Sequence, residues 1–146
     1  MADQYNFGQL TKEMIVNRLR DASNAPEAAA EIAKKTIIAG VKSTQAAGQS
    51  PKETVKEICY GAMSGLLLIE KNLPQAAVFI LRDMAEISNE LRLDPSELMT
   101  WAMGGIAKIA AVVPREASYD IRAKIDEEYQ GVGEVFGKLC EPYERK

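Results

Sequence analysis

Apolar side chains along this chain recur every three or four residues, the period of one helix face. Ile32, Ala33, Ile37, Val41 and Thr44 form one such series, which stops near Gly48. Val55, Ile58, Ala62, Leu66 and Ile69 form a second, and Val78, Leu81, Ala85 and Ser88 a third. A fourth runs through Leu98, Ala102, Ile106, Ile109 and Val113. Ile121, Ile125, Tyr129, Val132, Phe136 and Leu139 make one stripe, predicted to continue unbroken through Gly131 and Gly133. A shorter first helix, over about Leu10 to Ala22, rests on Leu10, Met14 and Leu19. No stretch alternates apolar and polar residues between turn signals, so no strand is expected. The pattern predicts about six amphipathic helices in a single all-α domain over 1–146, with residues 1–9 flexible. A compact helical bundle is the expected architecture, and a short superhelix of α-hairpins is the alternative built from the same pieces.

Helix starts are marked independently of periodicity. Prolines stand at positions 26, 51, 74, 95, 114 and 142, and proline suits the first helical turn because its missing N–H has no partner there anyway. Ser50-Pro51-Lys52-Glu53 has the form of a capping box, and Asp94-Pro95-Ser96-Glu97 repeats it with an aspartate. Asn24-Ala25-Pro26-Glu27 and Asn72-Leu73-Pro74-Gln75 move the proline one step on and keep Glu or Gln in place. Two of these starts suggest an internal repeat of 44 residues. Pro51 and Pro95 are each followed by Glu (Glu53, Glu97) and then Gly (Gly61, Gly105) at the same offsets.

Composition narrows the chemistry. Hydrophobic residues make up 47% and charged residues 27%, as in a soluble globular domain and unlike a disordered chain. Aromatics are only 6%, so the core must be built from small and aliphatic side chains. The net charge of −3 is spread without a basic arm, which disfavours nucleic acid or an anionic membrane as a partner through bulk charge. The most apolar window, Leu98 to Val113, is interrupted by Lys108 and too short to span a bilayer. The stretch MADQYNFGQLTK has no basic region followed by an apolar run, so no signal peptide is expected, and the two cysteines, Cys59 and Cys140, are too few and too far apart to suggest a disulfide framework. A cytoplasmic protein is expected.

The chain has no histidine. That excludes Ser–His and Cys–His dyads and the Glu-x-x-His pairs of di-iron bundles. Asp126-Glu127-Glu128, with Glu116 and Asp120 before it, is the one carboxylate cluster that could hold a hard cation. Arg122 and Lys124 are interleaved there, so a solvated face with Asp120–Lys124, Arg122–Asp126 and Lys124–Glu128 ion pairs is expected instead. No cofactor, metal or catalytic residue is assigned.

Glycines inside helices carry more information. Gly61 and Gly65, and again Gly133 and Gly137, share the four-residue spacing that opens a smooth groove on one helix face. They are the candidate interface, either within the fold or between subunits. A kink or break near Gly104-Gly105 or Gly131-Val132-Gly133 is the other outcome these glycines allow. Trp101, Gly105 and Lys108 lie on one stripe with Val112 and form a candidate pocket, in which a lysine in apolar surroundings could bind an acid.

The segment from Ala85 to Leu98 carries an early alanine, Leu91 and Leu93 about the turn, and Ser96-Glu97-Leu98 leading into the next helix. It resembles the helix-turn-helix units of bacterial transcription factors, which implies DNA binding through residues 80–104. Arg92 stands where those units usually carry glycine, and the second helix has no basic residue before Lys108. The leading expectation is therefore a non-enzymatic helical bundle that acts through protein–protein contacts, as a homo-oligomer or with another protein. A DNA-binding regulator is the first alternative, and a binder of a small apolar or lipid-like ligand in the bundle core is the second.

Overall fold

A computed structural model describes residues 6–144 and shows an all-α bundle, with no strand among the described residues. Among the described residues eight α-helices follow in order: α1 (Phe7–Leu19), α2 (Ala25–Ala46), α3 (Lys52–Leu68), α4 (Leu73–Arg82), α5 (Met84–Leu91), α6 (Pro95–Ala107), α7 (Arg115–Glu128) and α8 (Val132–Cys140). Single 3-10 turns at Lys108–Ala111 and Glu141–Tyr143 follow α6 and α8. No helix among the described residues is long and apolar enough to cross a membrane.

The first helix begins a turn earlier than its large apolar residues suggest. Asn6 is its cap, accepting the Gln9 amide at 2.9 Å, so Phe7–Gln9 are helical rather than flexible, while residues 1–5 lie outside the described residues. The face it buries is Gly8, Thr11, Ile15 and Leu19. Leu10 and Met14, which define the expected stripe, are only half-buried. Thr11 tolerates burial because its hydroxyl donates to the Phe7 carbonyl at 2.7 Å.

Among the proline starts, Asn72 and Asp94 cap as expected, accepting the amides of Gln75 at 3.0 Å and Ser96 at 2.8 Å. Asn24 makes no side-chain capping bond. At Ser50 the cap shifts: Pro51 takes the cap position, Ser50 Oγ accepts the Lys52 amide at 3.3 Å, and Glu53 turns to Lys56 at 4.0 Å.

Two of the six expected helices are broken. The Val78–Ser88 series divides at Asp83, and the register then shifts so that Met84, Ile87, Ser88 and Leu91 are buried while Ala85 faces solvent. The last stripe divides at Tyr129–Gly131, where Gly131 adopts φ +88°, a left-handed conformation open to glycine at no steric cost. Gly104 and Gly105, by contrast, sit in unbroken helix.

The centre of the bundle is α3. It packs most extensively on α1, then on α6, and also touches α2 and α4; an open superhelix, whose hairpins meet only their neighbours, does not produce such a hub. Its predicted stripe of Val55, Ile58, Ala62, Leu66 and Ile69 is buried throughout. Cys59, Gly61, Met63, Ser64 and Gly65 are buried as well, so the second half of the helix is enclosed almost all round.

Glycine makes this enclosure possible by letting backbones meet. A Cβ on Gly61 would collide with the Gly8 carbonyl of α1, and one on Gly105 with the Lys56 carbonyl of α3. From the other side, a Cβ on Gly8 would lie 2.7 Å from the Glu57 carbonyl oxygen. The two glycines of the 44-residue spacing thus play the same part in α3 and α6. In a loosely packed helix, alanine in place of glycine gains about 1 kcal/mol from propensity, whereas forcing a methyl into a packed backbone contact costs about 1–3 kcal/mol or more. The second effect wins here. Gly61→Ala and Gly105→Ala are each expected to lower stability by about 1–2 kcal/mol in urea unfolding; a gain in either variant would contradict the contact.

Candidate functional site

The structure separates the residues that the sequence groups together. Gly61 and Gly65 face α1, where Gly65 approaches Ile15 and the Lys12 carbonyl, so this glycine face is filled by the protein's own first helix. Gly105 is closed over by the backbone of α3, so the gap beside Trp101 is occupied by protein. Trp101 is half-buried, and Val112 is exposed. Lys108 leaves the α6 stripe by opening the 3-10 turn, and its Nζ lies 4.9 Å from the centre of the Tyr60 ring on α3. That is a cation–π arrangement.

Lys108 and Gly61 nevertheless meet in one concavity. A pocket of about 240 Å³ lies along the α1–α3 seam and is lined by Lys12, Glu57, Tyr60, Gly61, Ser64 and Lys108, among others. Its wall is made mostly of polar groups carried on three elements. The signal in the sequence was partial. Lys108 stands out as the charge in an apolar run, while Lys12, Tyr60 and Ser64 carry no motif and converge only because Gly8 and Gly61 let α1 and α3 close.

The second concavity, about 440 Å³, is a shallow groove between α7 and α8 lined by Tyr119, Arg122, Asp126, Gly133 and Glu134. Gly133 and Gly137 act inside this hairpin: a Cβ on Gly133 would press on Asp126, and one on Gly137 on the Arg122 guanidinium. Asp126 is not in the expected pair with Arg122. Its Oδ1 accepts the amides of Gly131 and Gly133 at 3.0 Å each, tying the end of α7 to the start of α8. The other acidic residues also pair differently from expectation, Lys124 with Glu127 at 3.0 Å and Glu128 with Arg82 at 3.4 Å. No group of three potential metal ligands occurs among the described residues.

The helix-turn-helix likeness has a geometric basis. Arg92 ends α5 in the left-handed conformation, φ 55°, ψ 46°, and the Leu93 amide returns to the Ser88 carbonyl at 3.0 Å. The second helix of the unit is however a core helix, since α6 is buried from Ala102 to Ala107 and only its first turn and a half faces solvent, with Glu97 there. Both cysteines are free and buried. Burial pushes the Cys59 thiol up to about 12, and burial with help from Glu144 does the same at Cys140. The chain matches no protein-family model, no curated protein and no solved structure.

Two outcomes follow from these groups. Asp126→Ala removes both amide acceptors and is expected to cost about 1–2 kcal/mol in chemical unfolding, with Asp126→Asn close to the parent; equal losses in both would show that the acceptor oxygen is not what matters. Both thiols should resist a disulfide reagent at about pH 8 until the chain unfolds. Because their folded pKa lies above the unfolded value of about 8.5, the folded state holds these protons more tightly. That contribution is complete below about 8.5 and falls away as pH rises toward about 12. Rapid labelling of the native protein would contradict the burial.

Proposed function

We propose that this protein is a non-enzymatic helical-bundle module that acts through protein–protein contacts in a reducing, cytoplasmic setting, and that it self-associates through the α7–α8 hairpin. The observation that carries this reading is the hairpin groove, where Tyr119 is 50% exposed beside Arg122. Tyrosine and arginine are the residues most enriched where proteins meet. The same groove presents Arg122 together with Asp126 and Glu134. A patch holding both signs can complement a second copy of itself about a twofold axis, as an isologous dimer requires. Two free, buried cysteines suit a reducing compartment.

The alternatives find less support. DNA recognition needs exposed base-reading and phosphate-binding side chains on its helix, and the exposed first turn and a half of α6 carries Ser96, Glu97 and Thr100 with no basic residue. An apolar ligand beside Trp101 would need the space that the α3 backbone fills at Gly105.

Sedimentation equilibrium provides the test. The parent protein is expected to associate, and Tyr119→Ala to weaken association by about thirtyfold, the effect of losing an anchor worth roughly 2 kcal/mol. Arg122→Glu should weaken it too, and combination with Glu134→Arg should restore it in part. A parent protein that stays monomeric at every concentration would overturn self-association, and association insensitive to Tyr119 would move the interface elsewhere.

A further inference from the structure

We propose that the pocket on the α1–α3 seam is a binding site for the phosphate group of a small anion. It is separate from the α7–α8 groove and does not depend on the reading of that groove. Three observations converge on it. The first is charge. Lys12 on α1 and Lys108 on the 3-10 turn bring two cationic side chains to one concavity of about 240 Å³. Neither is ion-paired among the described residues, as is also true of Lys42, Lys52 and Lys138, but only these two come to one concavity.

The second is a hydroxyl without a bond. Of the buried hydroxyl side chains, Thr11, Thr36, Ser88 and Ser118 each donate to a carbonyl of their own helix, at 2.7, 2.8, 2.7 and 3.0 Å. Ser64 is the most exposed of the five, at 9%, and makes no hydrogen bond to any described residue. Ser64 lines the pocket. No buried side-chain nitrogen or oxygen lacks a hydrogen-bond partner among the described residues, so the Ser64 hydroxyl is not sealed in the core but open to the concavity, where it is free to donate to an occupant. The third is positioning. The Tyr60 ring sits 4.9 Å from the Lys108 Nζ and holds the end of a long flexible side chain at the pocket.

Two lysines and a hydroxyl donor suit a dianion better than a single carboxylate, and lysine binds phosphate as a point charge without demanding a fixed fork geometry. Glu57, exposed at the rim, disfavours a second anionic group there and can accept from a hydroxyl or amine. The occupant is therefore inorganic phosphate or a small phosphate monoester whose remainder donates hydrogen bonds.

Amide NMR titrations with inorganic phosphate and with glycerol 3-phosphate, at low ionic strength and with glycerol as the uncharged control, test this. Shifts are expected to be confined to the surroundings of Lys12, Ser64 and Lys108, with none from glycerol. Lys12→Met and Lys108→Met should each weaken phosphate binding about tenfold, Ser64→Ala should weaken it less, and Glu57→Gln should tighten it. Lys52→Met, on the exposed start of α3, should leave it unchanged, and circular dichroism checks that every variant is folded. Tighter binding of glycerol 3-phosphate identifies a phosphorylated small molecule as the occupant, and equal or tighter binding of inorganic phosphate identifies the free ion; both sustain the site. Absence of localised shifts, or lysine variants that bind like the parent, would overturn it.

Discussion

The fold depends on the contact of helix backbones around α3. Gly8 and Gly61 bring α1 and α3 together with only backbone between them, and Gly105 brings α6 onto the opposite carbonyls of α3 at Lys56. With three helices at that separation, the core needs few large side chains. This is how a chain with 6% aromatics and abundant alanine closes a core in which Phe136 is the one fully buried aromatic among the described residues. The helix-propensity cost of each glycine, about 1 kcal/mol, is offset by the close packing of everything the approach brings into contact.

The same constraint shapes the surface. Since α1 lies so near α3, the side chains bordering the glycines, Lys12 from one helix and Tyr60 and Ser64 from the other, are left around a small polar cavity rather than in solvent. Past the Gly105 contact, α6 gives way to a 3-10 turn whose first residue, Lys108, lies over Tyr60. At the far end of the chain the glycines serve a hairpin. Gly131 makes the reversal, Gly133 gives room for Asp126, and Gly137 gives room for Arg122, so the groove between α7 and α8 is a consequence of how tightly that hairpin is drawn.

Helical period and proline starts made the class of fold legible, since both are local properties of the chain. The stripes of α3 and α6 were readable residue by residue because each is a run of aliphatic side chains, and every member of both is buried. The face of α1 was not, because glycine and threonine hold two of its four buried positions and neither stands out in a hydrophobic pattern. The break at Asp83 was hidden, since an apolar series can keep its spacing across an interruption that only tertiary packing decides, whereas the break at Gly131 falls at one of the two glycine pairs where the sequence offered a kink or break. The groove and the pocket depend on which helices become neighbours. Gly61, Gly133 and Lys108 could be singled out beforehand; Lys12, Ser64 and Tyr119 could not.

Native-state hydrogen exchange is the most direct test of α3 as the element on which the others close. Amides from Ile58 to Leu66, the enclosed stretch of α3, should exchange only through global unfolding and lose protection at the same free energy as those of α6 that face it. If they exchanged through a separate, lower-energy opening while α2, α4 and α7 stayed protected, the bundle would be organised about some other helix, and the central role of the glycine contacts would be wrong.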